Sequence, residues 1–534
     1  MNRPPPQIEV KPQELRALIE RVKAGALQPG DEEIIQAMVE TILYLNEAVE
    51  DKRASIARLV RMLFGASTEK AKNILPDPPS PCETSGNEPE KAPASSTPTA
   101  EKSGHGRNGA AAYAGAEKLR VDHEELKVKE LCPGCCKGKL YETNAPGVLL
   151  RVVGTAPLQA KVYELQKLRC NLCGQVFTAK PPEGVGEHKY DPSAGAMVAL
   201  LKYGSGLPFY RLENLQADLG IPLPASTQWE IAEKVADHVY PAYDELVRMG
   251  AQGELFFNDD TTMKILSLIN TPSEADPSRK GVFTSAILAN HDDHRIALFF
   301  TGRKHAGENM ADVLKKRASG LDPPIQMCDA LSRNIPQGFR IVLANCLVHA
   351  RRNFIDAMAG FPDKCQHVLE TLGKVYHHNE ISKNQRMTPA ERLTFHQNQS
   401  GPIMKGLKGW LQEQLEKKEV EPNSPMGRAI TYMLRHWEPL TLFLSVPGAP
   451  LDNNVCEQAL KKALLHRKNS YFFKTEHGAY VGDLFMSLIH TCKLNGVNPF
   501  HYLTTLQKHK SRLFKKPQNY MPWNYHLATA PDPA

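Results

Sequence analysis

Hydrophobic positions at the start of the chain repeat at alternating spacings of three and four. This heptad seam runs through residues 31–65 and ends at Gly65. It predicts a coiled-coil helix within an N-terminal helical region, residues 1–75, which would make the protein dimerise or pack its own helices together. We expect a homo-oligomer. An amphipathic helix packed on a globular core is the alternative. Residues 76–112 then lack large apolar side chains and are rich in Pro, Ser and Gly, which predicts a disordered linker.

Residues 186–250 have mostly helical periodicity. The pattern predicts a helix to about Leu219, a turn at Gly220-Ile221-Pro222 and a second helix after Ser226. Two helices joined in this way resemble a helix-turn-helix, which would bind DNA. Ordinary packing of helices against a core explains the same pattern.

Beyond residue 250 the pattern changes to short apolar runs rich in β-branched residues, which are typical of strands. In chain order it predicts three strands, a helix, two further strands and a helix, beginning near residues 254, 281, 294, 307, 324, 339 and 347. A meander followed by alternating helices and strands is an α/β arrangement. Residues 360–450 again have helical periodicity, so we expect a helical insertion there.

Charge is distributed unevenly along the 534 residues, whose formal net charge is +6. Residues 451–516 contain eleven Lys or Arg against four Asp or Glu, which gives this segment alone a charge of +7. Such a basic block suits a polyanion such as DNA, although a solvated surface gives the same pattern.

The sequence gives no indication of a membrane or an oxidising compartment. No apolar run approaches the roughly 18 residues of a membrane span. The first residues have no apolar core like that of a secretory signal, and eleven cysteines in so long a chain are not a disulfide framework. We therefore expect a cytoplasmic protein with reduced thiols and no membrane partner.

Four cysteines form two C-x-x-C pairs within residues 113–185: Cys132, Cys135, Cys170 and Cys173. Each pair can present two thiolates from one tight turn, and two such turns complete a tetrahedral Zn²⁺ site. The intervening runs have strand character, so we expect a zinc ribbon. Four thiolates leave no open coordination position, which makes this zinc structural.

Two aspartates, Asp259 and Asp329, each follow an apolar run that predicts a strand. Neighbouring strands lie about 4.8 Å apart, so carboxylates at their ends can converge. Glu457 would add a third carboxylate from a helix packed on the sheet. Three carboxylates suit two Mg²⁺ ions about 3.5–4 Å apart, of which one activates an attacking hydroxyl and the other stabilises the leaving oxygen.

Each acid also has a structural interpretation. Asp260 stands beside Asp259, and the pattern of residues does not choose between them. Asn454 and Glu457 fit a variant capping box, in which the glutamate would bond only the first amide of its own helix. Cys346 and His349, one turn apart on the helix predicted near residue 347, could share a metal ion or act as nucleophile and base, although no third catalytic partner is evident.

Read in order, several stretches resemble the transposases of insertion sequence family 66. They are NDDTTMKIL, IQMCDA, CLVHARRNF, LDNNVCEQALKKALLHRKNSYFF and SLIHTCKLNGVNPFHYL, which begin at residues 258, 325, 346, 451 and 487. The resemblance implies a ribonuclease-H-like catalytic domain of the Asp-Asp-Glu type over residues 251–470, followed by a basic C-terminal region, residues 471–534. It implies Asp259, rather than Asp260, as the first catalytic metal ligand, with Asp329 and Glu457 as the second and third.

The resemblance also implies the reaction and the partners. We expect a bacterial, DNA-associated enzyme that cleaves at the ends of its element and joins the 3′-hydroxyls to target DNA with two Mg²⁺ or Mn²⁺ ions. Accessory proteins encoded by the same element could take part. Cys346 and His349 would have an accessory role, structural or DNA-facing. The residues expected to bind DNA are Lys461, Lys462, Arg467, Lys468, Arg351 and Arg352.

Two other functions are compatible with these residues. A zinc-dependent DNA-binding protein with a catalytically inactive ribonuclease-H-like domain would bind element ends without joining them. A structure-selective nuclease would cleave branched DNA without joining ends. Strand transfer that depends on Mg²⁺ or Mn²⁺, assayed on end-sequence DNA, distinguishes the transposase from both.

The zinc prediction can be tested by metal analysis. The protein should hold about one Zn²⁺ per chain, because four thiolates form one tetrahedral site. The Cys170→Ser protein should lose zinc, since three thiolates bind it more weakly. An unchanged zinc content in that variant would exclude this ligand set.

Overall fold

The computed structural model of the protein describes residues 155–169, 176–184, 188–269, 271 and 279–529, with a few isolated positions between 18 and 139. Nearly all of the heptad seam, the Pro-rich segment and the four cysteines predicted to bind zinc lie outside these residues. The chain divides into two compact units. The first unit comprises Met1–Pro81 and His349–Arg435, and the second comprises Cys82–Val348 and His436–Ala534.

Strands β1 (Lys167–Arg169) and β2 (Val176–Thr178) form an antiparallel hairpin. Residues 170–175, which connect them and include Cys170 and Cys173, are outside the described part of the chain. The zinc ribbon therefore stays a prediction.

Helices α1 (Pro192–Ala199), α2 (Phe209–Asp218) and α3 (Ala225–Gly250) follow, and a π-helical turn, Leu200–Gly204, continues α1. Gly220, with a φ of 75°, makes the turn between α2 and α3. Both helices of the predicted pair are therefore present. The long α3 packs on α1, on α12 and on strands β4 and β5. Its buried apolar residues have helical spacing and include Ile231, Val235, Val239, Ala242 and Leu246.

Five strands form the sheet of the second unit: β3 (Leu255–Thr262), β4 (Phe283–His291), β5 (His294–Gly302), β6 (Ile325–Cys328) and β7 (Val342–Asn345). Their order is β5-β4-β3-β6-β7. Strands β3, β4 and β5 pair antiparallel, whereas β6 is parallel to β3 and β7 is parallel to β6. This mixed sheet with its helices confirms the α/β class.

The remaining helices follow in chain order. Those up to the end of the first unit are α4 (Ala306–Leu314), α5 (Leu347–Ala357), α6 (Pro362–Asn384), α7 (Pro389–Gln399), α8 (Gly401–Glu416) and α9 (Pro425–Arg435). Those after it are α10 (Trp437–Leu440), α11 (Asn454–Ser470), α12 (Glu476–Leu494), α13 (Pro499–Lys508), α14 (Lys510–Lys515) and α15 (Tyr525–Thr529). In the first unit, α8 packs against α6, α7 and α9.

None of the helices in the described residues combines the length and apolar character that a membrane span requires.

Helix α12 closes the free edge of the sheet with a ladder of polar side chains. Four residues spaced one turn apart accept hydrogen bonds from alternate backbone N–H groups of β5: Asp483 from Thr301 at 2.5 Å, Ser487 from Phe299 at 2.9 Å, Thr491 from Ala297 at 3.0 Å and Asn495 from Arg295 at 3.2 Å. Four helical residues rise about 6.0 Å and two strand residues about 6.8 Å, so the two repeats nearly match. The helix thus replaces a neighbouring strand at an edge that would otherwise expose unpaired donors.

This ladder predicts a specific loss of stability. Thr491→Val keeps the shape of the side chain but leaves the buried Ala297 N–H without its acceptor. We expect the free energy of unfolding to fall by about 1–3 kcal/mol, measured by urea denaturation. Thr504→Val is the matched control, because the Thr504 hydroxyl only shares the carbonyl of Phe500 within its own helix. Equal effects of the two substitutions would contradict the role of the ladder.

Candidate active site

Asp259 and Asp260 point to opposite faces of β3, because successive strand residues alternate. The Asp260 carboxylate is 1% exposed and accepts from His305 Nδ1 at 2.8 Å, with Arg333 at 3.5 Å. Asp260 is thereby occupied in holding the first turn of α4 against the sheet. Asp259 lies on the other face, toward α11. The cross-strand partner of Asp259 on β4 is Ala286, and the carbonyl of Ala286 accepts a hydrogen bond from Cys456 Sγ of α11.

Asp329 follows β6 directly, and its carboxylate is fixed by the turn that comes next. Asp329 Oδ1 accepts from the amide of Asn334 at 2.6 Å and from the backbone N–H of Leu331 at 3.2 Å. Asn334 is fully buried and belongs to a short 3₁₀ turn, Ser332–Asn334. The sequence prediction did not single out Asn334, because five residues separate it from the aspartate that it orients.

Glu457 lies in the first turn of α11, which packs on β3 and β4 through small side chains. Buried Cys456, Ala459 and Ala463 let the helix approach the sheet closely. The N-cap is Asn453 without a side-chain cap bond, and the N–H of Asn454 donates to Asp452 Oδ1 at 3.1 Å. The capping box of Asn454 and Glu457 is therefore wrong, because Asp452 occupies the amide that Glu457 would bond.

The three predicted carboxylates come together in the second unit. Burial raises the pKa of Asp259, the negative charges of Asp329, Asp260 and Glu457 add to the rise, and a hydrogen bond from the Asp260 N–H opposes it. The result is a pKa of about 7. Charges act on Asp259 in this way when the other acids lie in its neighbourhood. A buried acid beside two others of the same charge is a typical arrangement for binding a cation.

A network of neutral amides joins the segments that carry these acids. Asn258 Nδ2 and Gln326 Nε2 both donate to the carbonyl oxygen of Asn334, at 2.8 and 2.7 Å. Gln326 Nε2 also bonds Asn258 Oδ1 at 2.7 Å, and Asn453 Nδ2 donates to the carbonyl of Asn258 at 3.2 Å. Each member is buried and lies within five residues of Asp259, Asp329 or Glu457. Sequence reasoning missed these residues because their only signal is a polar side chain inside or next to an apolar run.

Cysteine side chains surround the carboxylates. Burial, with nearby negative charge, raises the pKa of the Cys328 and Cys456 thiols far above neutral pH. The Cys346 Sγ accepts from the N–H of Asn453 at 3.3 Å and lies within 4.8 Å of a Glu457 carboxylate oxygen. Cys346 therefore supports the start of α11. His349 lies on α5, one turn after Cys346.

The cations predicted to bind DNA fall into three groups. Lys461, Lys462 and Lys468 are exposed on α11. Arg467, on the same helix, is half-buried and donates to the Thr262 hydroxyl at 2.7 Å and to the Thr261 hydroxyl at 3.4 Å. It thus ties the end of α11 to the end of β3. Buried Arg351 and half-buried Arg352 lie on α5, and their contact with DNA stays a prediction.

Comparison with known proteins identifies the family. The model of the Transposase IS66 family matches residues 188–481, which is more than half of the chain and includes the three clustered carboxylates. The chain belongs to the IS66 transposase family. Membership implies an enzyme that acts on DNA and uses divalent metal ions.

Three proteins of Sinorhizobium fredii (strain NBRC 101917 / NGR234) are similar to this family member. The uncharacterized protein y4jD is 25% identical over 90% of this chain and 96% of its own length. The uncharacterized protein y4hP is 24% identical over 78% of this chain and 76% of its own. The uncharacterized protein y4qI is 24% identical over 62% of each chain.

The raised pKa of Asp259 predicts how stability depends on pH in EDTA. The folded state holds this proton more tightly than the unfolded chain, whose aspartate has a pKa near 3.8. The stabilising effect of the proton is therefore complete below about pH 4 and is lost as the pH rises through about 7. Asp259→Asn should therefore raise the Tm at pH 8 and change it much less at pH 5. If Asp259 is a metal ligand, the substitution should also remove the Tm increase that Mg²⁺ gives the parent protein at pH 8.

Asp260→Asn is the matched control on the neighbouring residue. It weakens the contacts with His305 and Arg333, so it should lower the Tm in EDTA yet leave the Mg²⁺-dependent increase in place. If Asp260→Asn abolished the effect of Mg²⁺ and Asp259→Asn did not, the two aspartates would have to exchange roles.

Proposed function

We propose that this IS66-family protein is a DNA transposase of the Asp-Asp-Glu type. It would cleave at the ends of its element and join the freed 3′-hydroxyls to target DNA. The observation that supports the proposal is that the charges of Asp329 and Glu457 act on Asp259, although the three residues come from segments far apart in the sequence. The sheet order β5-β4-β3-β6-β7, with an antiparallel meander and two parallel strands, supports a ribonuclease-H-like fold.

The acids that meet here fit a site for Mg²⁺ or Mn²⁺. Three carboxylates are the hard oxygen donors that these ions prefer. The raised pKa of Asp259 reflects its burial and, in addition, the neighbouring negative charges, which a divalent ion would offset. Asp259, Asp329 and Glu457 would hold the ions. Bound Mg²⁺ supplies activation of the attacking hydroxyl and stabilisation of charge at the phosphate.

The protein's own residues provide position and charge for the reaction. Water first attacks the phosphodiester at the element end, and the released 3′-hydroxyl then attacks a phosphodiester of the target, each in line with the oxygen that leaves. Exposed Lys461 and Lys468 lie on the same face of α11 as Glu457, so they can bind phosphates on either side of the reacting one. The amide network fixes the acids without adding charge.

The proposal is tested by Glu457→Gln, which keeps the size of the side chain but removes its charge. Strand transfer of end-sequence DNA with Mg²⁺ should fall by orders of magnitude, since a ligand charge is lost. The Tm in EDTA and the binding of element ends should stay near those of the parent. Asp329→Asn should behave in the same way.

Asp452→Asn provides the matched control, because Asp452 accepts from the first amide of α11 without joining the carboxylate cluster. A weakened cap costs at most about 0.5–2 kcal/mol of stability and should leave strand transfer intact. A Glu457→Gln protein that joins ends as fast as the parent would remove the catalytic assignment.

A further inference from the structure

An exposed aromatic turn follows the last residue of α11. Tyr471 and Phe472 are 68% and 43% exposed. The N–H of Phe472 donates to the carbonyl of Ser470 at 2.8 Å, and Tyr471 between them has φ 66° and ψ −41°. This is the γ-turn with a positive central φ, which is rare and strained for any residue except glycine. Glycine would make the same turn without strain, so the turn alone does not explain the tyrosine ring.

The helix end that carries this turn is firmly held. Lys202 Nζ, buried in the π-helical turn, donates to Ser470 Oγ at 2.9 Å. Asn469 Nδ2 donates to the carbonyl of Gly206 at 3.0 Å, and Arg467 bonds the end of β3. Strained backbone persists only where its surroundings fix it in this way. The two exposed rings are therefore presented by a rigid base.

A second exposed apolar segment lies beside the turn. The N–H of Leu266 donates to the carbonyl of Phe473, and the N–H of Phe473 donates to the carbonyl of Lys264, both at 2.9 Å. Buried Ile265 and Phe473 pair on the inner side. Leu266 and Ile269 are 39% and 50% exposed. We call the exposed group of Leu266, Ile269, Tyr471 and Phe472 the aromatic platform.

Positive charge surrounds the aromatic platform. The exposed lysines Lys264, Lys468 and Lys474 lie within three residues of its members along the chain. Residues 461–476 contain five Lys or Arg and one acid, Glu476. Stacking rings inside a basic surface are typical of sites for single-stranded nucleic acid, where ring faces contact bases and cations contact phosphates. A protein partner with an apolar face would not need these cations.

We propose that the aromatic platform binds an unpaired base of the DNA strand by stacking on Tyr471 and Phe472, with the lysines on the flanking phosphates. This rests on the proposed function and adds a binding site away from the carboxylates. The part of α11 between Glu457 and Ser470 rises about 20 Å. At the duplex rise of about 3.4 Å per nucleotide this distance spans roughly six nucleotides, so the bound base would lie at most about that many nucleotides from the reacting phosphate.

The test uses the full-length protein in EDTA, so that no cleavage contributes to the signal. Fluorescence anisotropy would measure the affinity for a labelled 20-nucleotide oligothymidylate and for a duplex of equal length, each at several salt concentrations. A second set of oligonucleotides would carry 2-aminopurine at one position, because stacking on a protein ring changes the fluorescence of this base.

Tyr471→Leu and Phe472→Leu should each weaken binding of the single strand about tenfold, because a stacked base depends on the ring. The dependence on salt should not change, since no phosphate contact is lost. Duplex affinity should fall much less. The change in 2-aminopurine fluorescence on binding should disappear in both ring variants. Lys474→Ala, which removes a phosphate contact, should make the affinity depend less steeply on salt. Tyr471→Gly should raise the Tm, because glycine adopts this φ without strain, and it should still weaken single-strand binding. If the ring only stabilised the fold, the same substitution would lower the Tm.

Tyr480→Leu is the control, because Tyr480 is another exposed tyrosine, 39%, on α12. Its neighbours along the chain include Glu476 and Asp483, so it should not bind DNA and its variant should bind single strands as the parent does. Single-strand affinity within twofold of the parent in both Tyr471→Leu and Phe472→Leu would overturn the proposal.

Loss of self-association in these variants without loss of single-strand affinity would also overturn it, by assigning the surface to a second copy of the chain. A parent protein that binds neither single strands nor duplexes would instead reject the proposed function itself. The two failures are therefore distinguishable.

Discussion

Repulsion among half-buried carboxylates is the constraint on which the proposed site depends. The charges of Asp329, Asp260 and Glu457 help to raise the pKa of Asp259, so in the folded protein alone these charges oppose one another. In the proposed site Asp259, Asp329 and Glu457 would share cations. Positive side chains would relieve the repulsion but would also compete with the metal. Neutral groups lie next to the acids: buried amides, protonated thiols and backbone N–H donors. These groups would leave the charge of the acids available for the proposed ions.

The amide network resists this repulsion because it connects the three segments that contain Asp259, Asp329 and Glu457. Asn258 lies next to Asp259, Asn334 orients Asp329, and Asn453 begins the helix of Glu457. A buried amide without partners destabilises a fold, so the members stabilise the site only as a group. The sheet beneath must also be rigid. The polar ladder of α12 contributes to this by closing the edge strand β5 with hydrogen bonds instead of mobile solvent.

Most elements of the second unit could be predicted because their periodicity is strong. The strands before Asp259 and Asp329 and the helix of Glu457 are visible as apolar runs and helical spacing. The structure adds a physical reason to distinguish Asp259 from Asp260, since the latter is bound by His305, 45 residues away. The hydrogen bond between Arg467 and Thr261, which are 206 residues apart, could not be predicted from the sequence either. Buried apolar residues recur along the sequence at the spacing of a helix or a strand, so they can be recognised. A single long-range polar contact produces no such repeat.

In the proposed transposase, helix α11 would relate the chemistry of the carboxylates to the position of the DNA strand. Its first turn carries Glu457, and its last residue begins the turn of Tyr471. A helix held at both ends, by Asn453 and Cys346 at the start and by Lys202 at the end, keeps these two positions at a fixed separation. Because nucleotides repeat regularly along a strand, a fixed separation selects which phosphate reaches the carboxylates once a base has stacked. The strain at Tyr471 then has a use, since it directs the ring outward at one defined point along the helix.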